Sequence, residues 1–153
     1  MNDVIKHKIY HNLHRLITSI KWVIFAIIVG IIVGFCGIAF YFGLVEVTNL
    51  RLTHHWLLYF LPVGGLVIVG LYHLFKDAND TGTNLVISAI HSGDELPLRM
   101  APLIFISTLI THLCGGSAGR EGAALQLGGS IGNAIGKFFR FDEKDKHVMI
   151  MCG

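Results

Sequence analysis

Charge is scarce in this sequence. Asp, Glu, Lys and Arg make up only 14% of its 153 residues, against roughly 25% in typical soluble chains. A small globular domain covers its surface with such side chains, and 12 basic plus 10 acidic ones are too few for a chain that is 53% apolar. A cytosolic enzyme and a disordered tail are both excluded. A net charge of +2 is too small to present a phosphate-binding surface, so no nucleic-acid partner is expected. Cysteine is scarce as well. Cys36, Cys114 and Cys152 form no C-x-x-C pair, and each lies in an apolar stretch. A disulfide framework and a metal site are thereby excluded, and the three read as small packing residues. No cofactor is expected. What is plentiful is apolar surface, with mean hydropathy +0.63, and glycine. The 18 glycines are about 12% of the chain, where roughly 7% is average. Membrane helices use glycine to let backbones approach closely. The composition therefore points to an all-α integral membrane protein.

Residues 1–20 form a basic N-terminal segment with Lys6, Lys8 and Arg15, and Lys21 follows at its edge. Trp22 to Val45 is then a charge-free run of 24 residues, long enough to cross a hydrocarbon core of roughly 30 Å and too long for a signal-peptide core. By the positive-inside rule the N-terminus is expected in the cytoplasm. Glu46 to His55 reads as a loop with Arg51 as its one basic residue, and a second apolar run covers Trp56 to Phe75. A polar, turn-rich break at Lys76–Asn84 precedes Leu85–Ile90, which is too short to span. After the polar connector His91–Arg99 comes a third apolar segment, Met100–Leu113, with Pro102 in its first turn. The chain becomes amphipathic and charged from Lys137. Its last stretch, Val148 to Cys152, begins an apolar helix that does not reach spanning length. Residues 21–153 thus read as an incomplete transmembrane domain. Its short, glycine-broken segments near Thr81 and Gly119 are the mark of interrupted helices that end inside the membrane and build a site there.

The densest chemical signal is Gly115-Gly116-Ser117-Ala118-Gly119-Arg120-Glu121-Gly122-Ala123. An Arg and a Glu between two nearly uncharged stretches are functional candidates, because a charge at the bilayer centre costs about 2.5–3.5 kcal/mol on insertion scales. Three readings compete. In the first, the pair sits in an interfacial loop of a non-transporting membrane segment. The small-xxx-small pairs Gly30/Gly34, Gly115/Gly119, Gly128/Gly132 and Gly132/Gly136 then serve helix packing. In the second, Gly115 to Gly119 is a G-x-S-x-G nucleophile elbow, with Ser117 as nucleophile and His112 nearby, in an intramembrane serine hydrolase. That motif requires a strand before the serine, whereas Leu103–Leu113 reads as a helix. In the third, a glycine-rich break followed by a helix start exposes backbone N–H groups to an anion, reinforced by the helix dipole. A second such end lies at Asp80-Thr81-Gly82-Thr83-Asn84, where threonine hydroxyls add donors or simply cap the helix. His112 reads as packed and hydrogen-bonded.

At these residues the sequence resembles the CLC family of chloride channels and anion/proton antiporters. The family's signature G-[KR]-E-G-P, followed by a hydrophobic residue, a Gln and a glycine pair, stands here as Gly119-Arg120-Glu121-Gly122-Ala123, then Leu125-Gln126-Leu127-Gly128-Gly129 and Ile131-Gly132. The resemblance runs from about Ser19 onward and covers the first part of the family's transmembrane domain, a pair of inverted repeats working as a homodimer. It implies a multi-pass cell-membrane protein that moves chloride or fluoride, with protons in the antiporters. It also implies that Glu121 is the gating and proton-carrying carboxylate. The amides of Gly119, Arg120, Glu121, Gly122 and Ala123 would line the anion site, and Thr81 would stand at the central anion position. Two departures are visible. The segment around Thr81 keeps one glycine and has threonine for serine, and Ala123 replaces the proline. With G-S-A-G-R-E-G, these look more like the bacterial fluoride/proton-antiporting branch. Arg120 is expected to be a structural counter-charge.

Overall fold

A computed structural model describes residues 2–75, 83–92 and 96–153. The described residues are helical, with no strand among them. Six α-helices follow in order: α1 (Asn2–Thr53), α2 (Leu61–Leu74), α3 (Thr83–Ser92), α4 (Met100–Leu113), α5 (Arg120–Phe138) and α6 (Glu143–Cys152). A 3₁₀ turn, His55–Phe60, leads into α2.

The first helix is longer than its apolar run. The segment expected as a loop, Glu46–His55, continues α1 to Thr53. It contains no glycine or proline to stop a helix, and its threonines turn their hydroxyls back onto the helix. Thr48 Oγ1 donates to the Leu44 carbonyl at 2.6 Å, and Thr53 Oγ1 to that of Asn49 at 3.0 Å. The second apolar run divides at Pro62, which sits in the first turn of α2, where its missing N–H costs no helical bond. Two stretches, Thr18–Thr53 and His55–Leu74, are long and apolar enough to cross a membrane, with mean hydropathy 2.9 and 1.9. Both leave large apolar side chains uncovered, including Phe35, Tyr59 and Leu66. In water such a surface would drive association, whereas in a membrane protein lipid or neighbouring helices cover it.

The core forms around α5. Every residue from 126 to 133 on that helix is buried, and α1, α3, α4 and α6 all touch it. From α4 the inward residues are Met100, Ala101, Ile104, Ser107 and Thr108, spaced by three and four so that they share one face. Phe40, Leu44, Val86, Ala89, Leu96 and Ile150 close the main apolar cluster, and Leu127 and Ile131 pack with Ala101 beside it. Asn133 Nδ2 donates to the Leu96 carbonyl at 2.7 Å, tying α5 to the segment before α4.

Glycine permits the closest contact. A Cβ on Gly132 would collide with the backbone carbonyl of Met149, and one on Gly128 with that of Gly153. At Gly136 the nearest atoms of Lys146 and Met149 would stand at 3.5 Å. The expected packing role is therefore seen for Gly132, against α6, and for Gly128, against Gly153 just beyond it, whereas a Cβ on Gly136 would make only ordinary contacts. The Gly30/Gly34 pair differs: a Cβ on either meets nothing within 4 Å, because that face of α1 points away from the other helices. Gly115 works in a turn (φ +84°) with the Leu58 side chain where a Cβ would stand, whereas a Cβ on Gly119 meets nothing within 4 Å.

Gly132→Ala is accordingly expected to destabilise the protein by about 1–3 kcal/mol, the usual cost of overpacking where backbone cannot yield. Gly30→Ala should leave stability unchanged or slightly raised. Thermal unfolding of both variants in detergent checks the contrast.

Candidate functional site

Helix α4 ends inside the apolar region for a local reason. The Gly116 N–H reaches back to the Thr111 carbonyl at 2.8 Å, and the Gly115 N–H to that of His112 at 3.1 Å. This paired closure satisfies the last carbonyls and requires the left-handed conformation that Gly115 supplies. At 14 residues α4 is about 21 Å long, short of a roughly 30 Å core. The break expected near Gly119 is thus present.

Helix α5 starts across that break. Gly119 is its extended N-cap (φ −67°, ψ 110°), and no side chain caps the end. The first intrahelical bond runs from the Ala123 N–H to the Gly119 carbonyl at 3.2 Å. The N–H groups of Arg120, Glu121 and Gly122 therefore have no partner within the helix. Aligned peptide dipoles add roughly half a positive charge at this end. Glu121 lies in the first turn with its side chain exposed. Arg120 is exposed too and pairs with no carboxylate among the described residues.

A cavity of about 460 Å³ opens between α2, α4 and the start of α5. Gly119, Gly122 and Ala123 line it from the signature segment, so the structure brings three of the expected residues to one wall. Arg120 and Glu121 stand in the same turn but outside the lining. Thr81 lies outside the described residues. The opposite walls contain residues that sequence reasoning did not select: Ser107, Thr108 and Thr111 on α4, Tyr72 on α2, and Gln126 one turn below Gly122. Gln126, Ser107 and Thr108 are buried although polar. The signal was available in the spacing of Ile104, Ser107, Thr108 and Thr111, which puts three hydroxyls on one side of an otherwise apolar helix. Two of those hydroxyls also bond within α4, Ser107 Oγ to the Ile104 carbonyl and Thr111 Oγ1 to the Ser107 carbonyl. His112 Nδ1 donates to the Thr108 carbonyl at 2.9 Å, in agreement with a packed, locally bonded histidine.

The elbow reading of Ser117 meets a different geometry. The segment before it is α4, where an elbow would have a strand, and Ser117 is an exposed residue of the 114–119 break. A fluorophosphonate probe is expected to leave the wild-type protein unlabelled. Labelling that disappears in Ser117→Ala would restore the serine hydrolase.

The profile of the family described as "Voltage gated chloride channel" matches residues 64–153. A chloride/fluoride channel protein of Pseudomonas syringae pv. tomato is 38% identical over 134 residues, covering 87% of this chain and 30% of that protein. An H(+)/Cl(-) exchange transporter, ClcA, of Citrobacter koseri is 28% identical over 151 residues, covering 89% and 32%. Among solved structures, the crystal structure of a CLC-type fluoride/proton antiporter superimposes with a TM-score of 0.81 at 34% identity, over 88% of this chain and 34% of that one. The chain spans about a third of the length of these relatives. With a family profile matching more than half of its residues, and with the uncapped helix start that carries Gly119-Arg120-Glu121-Gly122 placed as above, this chain belongs to the voltage gated chloride channel (CLC) family.

Proposed function

We propose that this chain contributes one wall of a transmembrane anion path, in which a partly dehydrated halide is held by the N–H groups at the start of α5. The uncapped α5 N-terminus, with Glu121 in its first turn, carries this reading. A carboxylate is itself an anion and competes with halide for the same donors. At 4 Å and an effective dielectric of about 20, two such charges repel by about 4 kcal/mol, close to a thousandfold in occupancy. Protonation of Glu121 removes that repulsion, which couples a proton to the anion. The reading involves transport and no covalent chemistry on a substrate.

Fluoride is the favoured ion over chloride. The relatives at 38% and 34% identity both have fluoride in their descriptions, and the Asp80-Thr81-Gly82-Thr83-Asn84 segment departs from the chloride-type pattern. Thr81 is assigned to the central anion position at a second helix start. Arg120 is a structural counter-charge, with no carboxylate paired to it among the described residues. The protein crosses the cell membrane several times with its basic N-terminus in the cytoplasm, and it works as a homodimer. Support for the orientation comes from Lys6, Lys8, Arg15 and Lys21 against the single Arg51 at the far end of α1.

Glu121→Gln in the protein that carries this segment tests the proposal. The amide is neutral and holds no titrating proton, so anion-driven proton movement in proteoliposomes is expected to fall to the leak level. Anion flux should survive in proportion to how little the side chain must move. Proton movement that stays coupled in the variant would remove Glu121 from the mechanism. Equal handling of chloride and fluoride would remove the preference for fluoride and leave the path itself standing.

A further inference from the structure

Helices α4 and α5 end in the same backbone motif, with one difference. In both, two N–H groups beyond the helix fold back onto its last carbonyls. At the end of α4 the donors are Gly115 and Gly116; at the end of α5 they are Arg140, to Lys137 at 3.1 Å, and Phe141, to Gly136 at 3.1 Å. The first donor of such a pair sits in the left-handed region, which glycine enters without cost and an L-side chain does not. Gly115 fills that position after α4 at φ +84°, while after α5 it is Arg140, at φ 54°. Among the described residues Arg140 alone has positive φ without being glycine. A side chain retained against its backbone preference points to use of the side chain.

The surroundings of Arg140 identify that use. Its neighbour Phe141 packs edge-on against Phe25 with centroids 4.7 Å apart and lies 5.8 Å from the ring of Trp22. Lys21 Nζ stands 4.7 Å over the Phe141 ring and 5.6 Å over that of Trp22. Lys21 and Trp22 are where α1 passes from charged sequence into its charge-free run. Arg140 is therefore held at the level of the membrane–water boundary, in a belt of aromatic rings. Its side chain is exposed and has no carboxylate partner among the described residues. Lys137 lies one turn earlier on α5, and Lys146 lies on α6. The acidic groups nearby are Asp142 and Asp145, the latter 3.8 Å from Lys21 Nζ. Immediately before Arg140, Phe138 is 81% exposed and Phe139 44% exposed.

We infer that Arg140 binds the phosphate of an anionic phospholipid headgroup, with Lys137 adding positive potential and the exposed rings of Phe138 and Phe139 meeting the acyl chain. Guanidinium matches phosphate in a two-point geometry that lysine lacks. The exposed apolar surface next to it distinguishes a lipid from a soluble phosphate. This site is separate from the α5 N-terminus, at the other end of the same helix.

The test reconstitutes the full chain in nanodiscs of phosphatidylcholine alone and of phosphatidylcholine mixed with phosphatidylglycerol. Thermal unfolding and the phosphatidylglycerol retained in native mass spectrometry are measured. The wild type is expected to unfold at higher temperature in the mixture and to retain phosphatidylglycerol. Arg140→Gly relieves the backbone, so its midpoint in phosphatidylcholine alone should rise, while its retention of phosphatidylglycerol falls roughly tenfold. Arg140→Lys should lie between. Three outcomes would overturn the inference: no gain for the wild type in the mixture, undiminished retention in Arg140→Gly, or an equal gain from inorganic phosphate added to phosphatidylcholine nanodiscs.

Discussion

The close approach of α6 to the glycine face of α5 is the contact on which the rest of the arrangement depends. With Met149 and Gly153 backbone carbonyls standing where Cβ atoms would be at Gly132 and Gly128, α5 is held at a separation that larger residues would forbid. Beside α1, Leu127, Ile131 and Ile135 of α5 pack with Val33 and Cys36. Lipid tails are as apolar as leucine, so burial of apolar area contributes little to this association. Shape fit, with polar bonds such as that from Asn133 to Leu96, supplies it instead. A helix fixed along its whole middle has a fixed first turn.

That first turn is where we propose that an anion is held, and its form follows from how the chain treats helix ends. The end of α4 is closed, since Gly115 and Gly116 satisfy its carbonyls through the backbone. The start of α5 is left open, since Gly119 has no side chain with which to cap it. A serine or threonine at that position would have occupied an N–H group that an anion needs. The hydroxyl-bearing wall of α4 and the amide of Gln126 make the adjoining cavity polar within an otherwise apolar bundle, so it is suited to water or an ion.

Several of these features were legible in the residue order, and others were not. The break before Arg120 follows from glycine density, and the two long apolar helices follow from run length. The extension of α1 through Glu46–Thr53 is not legible in the sequence, because charged residues after an apolar run look like a loop, whereas a helix leaving the apolar region continues until a breaker stops it. Gly30 and Gly34 share the four-residue spacing of Gly128 and Gly132, and only the second pair meets a backbone. Spacing places small residues on one face but says nothing about what stands opposite. Ser107, Thr108 and Thr111 are each commonplace in a membrane helix and gain meaning only from the cavity they face.

The sequence by itself determined the class of the protein, the position of the break before Arg120 and the family signature around Glu121. These depend on local matters: hydrophobic run length against bilayer thickness, and the backbone freedom of glycine. Only the tertiary structure decided which glycines touch a neighbouring helix, which polar side chains share a wall with Gly119 and Gly122, and that Arg140 takes a glycine conformation next to a Phe141 packed on Lys21 and Trp22. Each of these relates residues far apart in the chain. Such distances are set by how helices pack, and no local pattern encodes them.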